Sequence, residues 1–211
     1  MIAIIDYGLG NLGSVKNALD TLSIDSFISK SPVEIKRASG LILPGVGAAG
    51  EGMKNLKAGK LDKAIKDFSD RDKPILGICL GMQLLMSKSE EGNVECLDII
   101  EGKVEKFKTK LKVPQIGWNS VKTTGDCPLL RDIRSESNFY FVHSYFCSPT
   151  NSKTIKGNTQ YGELFCSVFQ DSNIYGVQFH PEKSGESGLS LLKNFSEIVY
   201  ENNTGNRYKK R

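Results

Sequence analysis

Residues 74–86 read Pro74-Ile75-Leu76-Gly77-Ile78-Cys79-Leu80-Gly81-Met82-Gln83-Leu84-Leu85-Met86, with Cys79 centred in Gly77-Ile78-Cys79-Leu80-Gly81. An apolar run of strand type stops at a reactive side chain, and a helix-like apolar pattern begins directly behind it. That is the sequence form of a nucleophile elbow, a strand-to-helix turn so tight that glycine is required on either side. Such a turn lifts one side chain off the sheet and aims a helix N-terminus at it, where the helix dipole stabilises negative charge. A free cysteine is often an inert core thiol, but the paired glycines and the strand-then-helix context point to a nucleophile.

Outward from this stretch, the first half alternates strand and helix signals. Ile2–Ile5 is a short buried-type strand, followed by helical spacing through Val15, Ala18, Leu19 and Leu22. Ser26–Ser29 and Gly40–Leu43 read as further strands, the latter ending at Pro44-Gly45-Val46-Gly47, and residues 53–68 read as one helix. Strands separated by helices imply βαβ units and a mostly parallel sheet with helices on both faces. The second half changes character. Segments 104–107, 120–122, 139–142, 165–169 and 174–178 are short, β-rich and divided by polar turns, and a helical pattern closes at 189–200. The expected organisation is one α/β domain over residues 1–202 with an added antiparallel β portion, then a polar, basic tail at 203–211.

Charge and cysteine usage exclude several function classes. The chain of 211 residues carries 28 basic and 24 acidic side chains, and Arg207, Lys209, Lys210 and Arg211 account for the whole excess. A neutral body lacks the broad basic face of a nucleic-acid binder. Five cysteines (79, 96, 127, 147 and 166) without a CxxC pair suit a reducing compartment rather than a disulfide framework. With only His143 and His180 available, no metal site is expected. Met1 leads through Ile-Ala-Ile-Ile to Asp6, too short for a signal h-region, and no apolar run reaches membrane-spanning length. A cytoplasmic protein without membrane association is the expectation.

A cysteine nucleophile needs a base and a group that orients the base. The compact source is Tyr175-Gly176-Val177-Gln178-Phe179-His180-Pro181-Glu182. A strand delivers His180 at its end, Pro181 stops the ladder, and Glu182 is near enough to bend back onto the imidazole. An oxyanion would be met by the backbone N–H of Leu80, just after the nucleophile, and by Val46 in the glycine-rich loop after the third strand. Gln83 lies one helical turn beyond Cys79, so both can face one cavity. Gly8-Leu9-Gly10-Asn11-Leu12-Gly13 matches GxGxxG, yet no acid closes the second strand at Phe27-Ile28-Ser29-Lys30-Ser31. A tight turn, or a loop at an interface or small-molecule passage, accounts for it better than a dinucleotide site.

These segments resemble the class I glutamine amidotransferases, whose triad is Cys, His and Glu. The resemblance runs in order through residues 6–11, 43–47, 77–85, 89–93, 114–119, 139–145 and 176–185. Within the family it is nearest to the glutaminase subunits of imidazole glycerol phosphate synthases of histidine biosynthesis. The alternative is a paralogous group of glutaminase subunits that supply ammonia to sugar-modifying amidotransferases of bacterial surface glycans.

The resemblance implies a flavodoxin-like fold and a Cys79, His180 and Glu182 triad. It implies Gln83, Glu91, His143, Ser144 and Tyr145 around the glutamine substrate. It also implies ammonia passage to a separate (βα)8 cyclase subunit in a heterodimer contacted by Asn11, Trp118 and Lys183, with no cofactor. Trp118 on sequence alone fits a core position equally well, and Glu91 fits a solvated charge run. Gln115 departs from the family, where histidine is common. A stand-alone cysteine hydrolase, which needs no Glu after its histidine, and a non-catalytic binding subunit both fit the intact Cys, His and Glu set less well.

Overall fold

The computed structural model describes residues 1–205, so the basic tail side chains from Arg207 onward lie outside the described residues. The first half comprises β1 (Ile2–Ile5), α1 (Leu12–Thr21), β2 (Ser26–Ser29), α2 (Pro32–Arg37), β3 (Gly40–Leu43), α3 (Ala49–Ala58), α4 (Leu61–Ser69), β4 (Ile75–Ile78) and α5 (Leu80–Leu84). Strands β5 (Met86–Ser89), β6 (Val94–Glu95), β7 (Ile100–Lys106), β8 (Gln115–Thr123) and β9 (Ser137–His143) come next. Then β10 (Tyr145–Pro149), β11 (Ile155–Tyr161), β12 (Glu163–Asp171), β13 (Ile174–Val177) and the closing helix α6 (Gly185–Asn203) complete the order.

Strands β2, β1, β3, β4 and β13 form a parallel set in that order. Beyond β13 the sheet becomes antiparallel through β12, β10 and β7, and β11, β8 and β9 branch from β12. Strands β1, β3, β4 and β13 are buried on both faces, alternate side chains serving opposite layers, while the edge strand β2 leaves Ile28 exposed. Ala3, Ile5, Leu41 and Leu43 pack with Ile35 of α2, Met53 and Leu56 of α3, and Ile65 and Phe68 of α4. Ile2, Ile4 and Ile42 pack with Val15 and Leu19 of α1 and with Leu191, Leu192 and Phe195 of α6. Each such fully buried side chain contributes about 1.5–3 kcal/mol of apolar burial before entropy is counted. No helix among the described residues is long and apolar enough to cross a membrane.

The observed elements differ from the expected ones in several places. The single helix expected over 53–68 is two, broken at Gly59-Lys60, where Lys60 takes the left-handed φ of 56°. The helix behind the elbow ends at Leu84, and Met86, which the apolar pattern assigned to it, opens β5. Strands β5, β6, β10 and β11 stand where no strand was expected, β7 and β8 begin at Ile100 and Gln115 rather than at 104 and 120, and α6 runs from Gly185 to Asn203 rather than over 189–200.

Candidate active site

Strand β4 lies between β3 and β13, all three parallel, so the segments leaving their C-terminal ends converge. Those segments are the 44–47 loop, Cys79 and residues 178–182. The Ile174↔Ile75 and Val177↔Ile78 pairing brings His180 beside Cys79 although a hundred positions of chain separate them.

The elbow itself is tightly constrained. Cys79 holds φ 53° and ψ −111°, a conformation rare for a side-chain-bearing residue and costing about 1–3 kcal/mol. The glycines around it supply space rather than dihedral freedom. A Cβ on Gly77 would sit 2.7 Å from the Met82 backbone nitrogen, and one on Gly81 would sit 1.7 Å from the Leu43 carbonyl oxygen.

Three partners surround the Cys79 sulfur. The His180 ring lies beside it on the same cavity wall and interacts with it electrostatically. Its S–H donates to the Val142 carbonyl at 3.7 Å, and the Gln178 carboxamide N–H donates to Sγ at 3.7 Å. His180 in turn has Nδ1 at 2.9 Å from Glu182 Oε1, and both side chains are almost fully buried. Burial works against charge on His180, but hydrogen bonds to Cys79 and Glu182 and the attraction of both outweigh it. The ring is pushed up to about 10. Glu182 Oε2 has no hydrogen-bond partner among the described residues, so the carboxylate serves the imidazole there.

A cavity of about 270 Å³ opens on these groups. Val46, Cys79, Leu80, Gln83, Glu91, His143, Ser144, Tyr145, His180 and Lys183 line it, so ten of the thirteen residues expected at the site share one wall. Glu182 lies behind His180, while Asn11 and Trp118 lie outside the lining. Asn11 precedes α1 without capping it, and Trp118 is 59% exposed, which removes the core alternative.

Three of the expected roles take an altered form. Leu80 N–H donates to the Gly45 carbonyl at 3.4 Å. Because a trans peptide points its C=O and N–H in opposite directions, the Val46 N–H of the same peptide faces away from Leu80. The paired oxyanion donors expected at Val46 and Leu80 are therefore not assembled in this conformation. Glu91 Oε2 accepts the Ala49 N–H at 2.7 Å and caps α3, leaving its second oxygen for the cavity.

His143 is the third. It contributes to the wall, but both its ring nitrogens are held by the protein. Nδ1 lies 2.8 Å from the Tyr145 carbonyl and Nε2 lies 3.1 Å from the Gln115 carboxamide. Burial pushes the ring down to about 4, against the Tyr145 hydrogen bond. A neutral ring that donates from Nδ1 has an accepting Nε2, so Gln115 must present its N–H₂ there.

Gln178 and Tyr7 were not singled out from sequence. Gln178 is fully buried, and Gln83 Nε2 donates both to its Oε1 at 3.1 Å and to the Tyr145 carbonyl at 2.9 Å. The usable signal was position: Gln178 stands two residues before His180 in the segment that leaves β13. Tyr7, also buried, donates its hydroxyl to the Pro44 carbonyl at 2.8 Å and anchors the 44–47 loop. Gly10 packs on the same loop, a Cβ there falling 3.5 Å from Gly45 Cα, so the GxGxxG stretch is a packing turn beside the site.

The family described as "Glutamine amidotransferase class-I" matches residues 3–198. The imidazole glycerol phosphate synthase subunit HisH of Moorella thermoacetica is 49% identical over 94% of this chain and 95% of that protein. The HisH subunit of Chlorobaculum tepidum is 47% identical over 94% and 100%. Among solved structures, a putative GMP synthase protein from Thermoplasma acidophilum has a TM-score of 0.75 at 22% identity, covering 97% of this chain and 96% of that one. PurLQS from Thermotoga maritima has a TM-score of 0.75 at 15% identity, covering 94% and 98%. The chain belongs to the class I glutamine amidotransferase family.

Proposed function

We propose that this protein is the glutaminase subunit of an imidazole glycerol phosphate synthase. It would release ammonia from glutamine for a separate (βα)8 cyclase subunit of histidine biosynthesis. The observation that carries the reading is that Cys79 and His180 line one cavity, with Glu182 Oε1 2.9 Å from His180 Nδ1 behind the ring. The two HisH subunits, similar along nearly their whole length, support the pathway over sugar-modifying relatives.

In this reading His180 accepts the Cys79 proton, and the thiolate attacks the side-chain amide carbon of glutamine. The imidazolium, held by Glu182, protonates the departing ammonia and leaves a glutamyl thioester. His180 then draws a proton from water, the resulting hydroxide attacks the thioester, and glutamate leaves with the thiol restored. Both N–H groups of Gln83 are committed, so it offers its carbonyl oxygen, which suits the substrate ammonium alongside the free oxygen of Glu91. Full turnover requires rotation of the 45–46 peptide, which frees Leu80 N–H and brings Val46 N–H round to the developing oxyanion. Asn11, Trp118 and Lys183 are the proposed contacts with the cyclase.

The test is Cys79→Ala in the complex with the cyclase subunit. Glutamine-dependent product formation is expected to vanish while ammonia-dependent formation persists. Glutaminase turnover surviving in that variant sinks the reading.

A further inference from the structure

Gln178 is fully buried, yet its carboxamide is directed at the nucleophile rather than buried for packing. Nε2–H donates to Cys79 Sγ at 3.7 Å, while Oε1 accepts from Gln83 Nε2 at 3.1 Å. Its backbone N–H donates to the Ser167 carbonyl at 3.0 Å, which fixes the residue's place beyond β13. Gln83 is fixed in turn by the Tyr145 carbonyl at 2.9 Å. The amide plane of Gln178 thus has one possible orientation, because its oxygen faces a donor and its nitrogen faces the sulfur.

The sulfur's other partners make this donor matter. The Val142 carbonyl accepts the S–H, so that contact favours the protonated thiol and turns repulsive once the proton leaves. His180 takes the proton. The hydrogen bond from Gln178 strengthens when the sulfur becomes an anion, because charged acceptors hold their donors more strongly. A fully buried amide donor sits in a low local dielectric, which strengthens such a bond.

We infer that Gln178 is a positioning residue for the nucleophile, holding the Cys79 thiolate by an N–H hydrogen bond while its carbonyl locks Gln83 at the substrate wall. The inference rests on Cys79 being the reactive thiol, and it assigns Gln178 no contact with substrate. One amide thereby ties the group that attacks glutamine to a group that binds it.

The test follows iodoacetamide alkylation of Cys79 in the full chain, located by mass spectrometry, across a pH series. Gln178→Met keeps the volume and loses both hydrogen bonds. Gln178→Glu keeps the shape and places a carboxylate oxygen against the sulfur. The other titratable groups facing the sulfur, His180, Tyr7 and Cys147, are unchanged in both variants.

Gln178→Met is expected to alkylate about tenfold more slowly at neutral pH, with its profile moved to higher pH. Gln178→Glu is expected to be slower still once its carboxyl ionises. In the complex, kcat for glutamine falls about tenfold for Gln178→Met, and KM rises by a smaller factor because Gln83 keeps only its bond to the Tyr145 carbonyl. Should Gln178→Met fail to fold, the isosteric Gln178→Glu carries the test alone. A folded variant with the wild-type alkylation profile overturns the inference and leaves the glutaminase reading intact. A wild-type chain whose Cys79 does not react at any pH overturns both.

Discussion

Leu80 N–H is held by the Gly45 carbonyl at 3.4 Å, so the donor next to the proposed nucleophile is occupied before any substrate arrives. The 45–46 peptide can swing only because the backbone on either side is fixed. Tyr7 holds the Pro44 carbonyl, and Glu91 holds the Ala49 N–H. Gly45 is the pivot, and a Cβ there would lie 2.3 Å from the Tyr7 hydroxyl oxygen, 2.8 Å from Leu80 Cβ and 3.0 Å from Gly81 N.

Gly45→Ala is therefore expected to block the rotation. Glutaminase kcat in the complex should drop about a hundredfold, the typical loss when one oxyanion donor is missing. Alkylation of Cys79 by iodoacetamide forms no oxyanion and should change by less than about threefold. Equal losses in turnover and alkylation would defeat the pivot argument.

The two histidines should titrate far apart. His180 is pushed up to about 10 and His143 down to about 4, so neither midpoint should fall near 6.5. The signs for stability are opposite. His180 binds its proton more tightly folded than unfolded, so its contribution is complete below about 6.5 and fades as pH rises towards 10. His143 is held neutral, so its contribution is present above about 6.5 and fades as pH falls towards 4. Imidazole NMR of the full chain, which has two histidines, measures both midpoints directly. Glu182→Gln should lower the upper midpoint and cut glutaminase kcat at least about a hundredfold. A midpoint near 6.5 for either ring in the wild-type protein contradicts this.

The elbow should tolerate no methyl group at its second glycine. A Cβ on Gly81 would sit 1.7 Å from the Leu43 carbonyl oxygen, a backbone atom that cannot move without displacing β3. Gly81→Ala should lose more than about 3 kcal/mol in urea unfolding, or yield no soluble protein. Gly125→Ala is the control, since nothing lies within 4 Å of its Cβ position, and it should change stability by less than about 0.5 kcal/mol. A small loss at Gly81 would mean that β3 and the elbow helix are not in close contact.

The parallel half was legible because its strands are short segments, most of them apolar, that stop at a charged residue, Pro44 or Cys79 and alternate with helical spacing. Ile2–Ile5, Ser26–Ser29, Gly40–Leu43 and Ile75–Ile78 fall where the sequence put them. Helix α2 was readable but overlooked. Ser31 caps it, accepting the Glu34 N–H at 3.5 Å, with Pro32 in the first turn, a start signal visible without coordinates. Met86 was not readable, because an apolar run serves a buried helix and a buried strand alike. At the site, residue types and loop positions were legible, but peptide orientation was not. Nothing in Pro44-Gly45-Val46-Gly47 states which way the 45–46 carbonyl points, since glycine accepts both. Nor does sequence say that Glu91 spends one oxygen on Ala49, a contact made across 42 positions.

Trp118 provides the last test, because its exposure calls for a cover. It stands on β8 with Ile116, two residues away on the same face, and they are 59% and 61% exposed. Their cross-strand partners are Tyr140 and Val142, and Val142 reaches the cavity wall. Trp118 touches Tyr140 edge-on, with centroids 6.0 Å apart, and has little else to lose within this chain. Trp118→Ala should therefore leave thermal stability nearly unchanged. Its affinity for the cyclase subunit should weaken about thirtyfold, the scale of an aromatic anchor in an interface centre. Glutaminase stimulation by the cyclase should then need a correspondingly higher cyclase concentration, with the same plateau at saturation. Titration calorimetry against the purified cyclase decides it. Unchanged affinity would move the docking face away from β8 and β9.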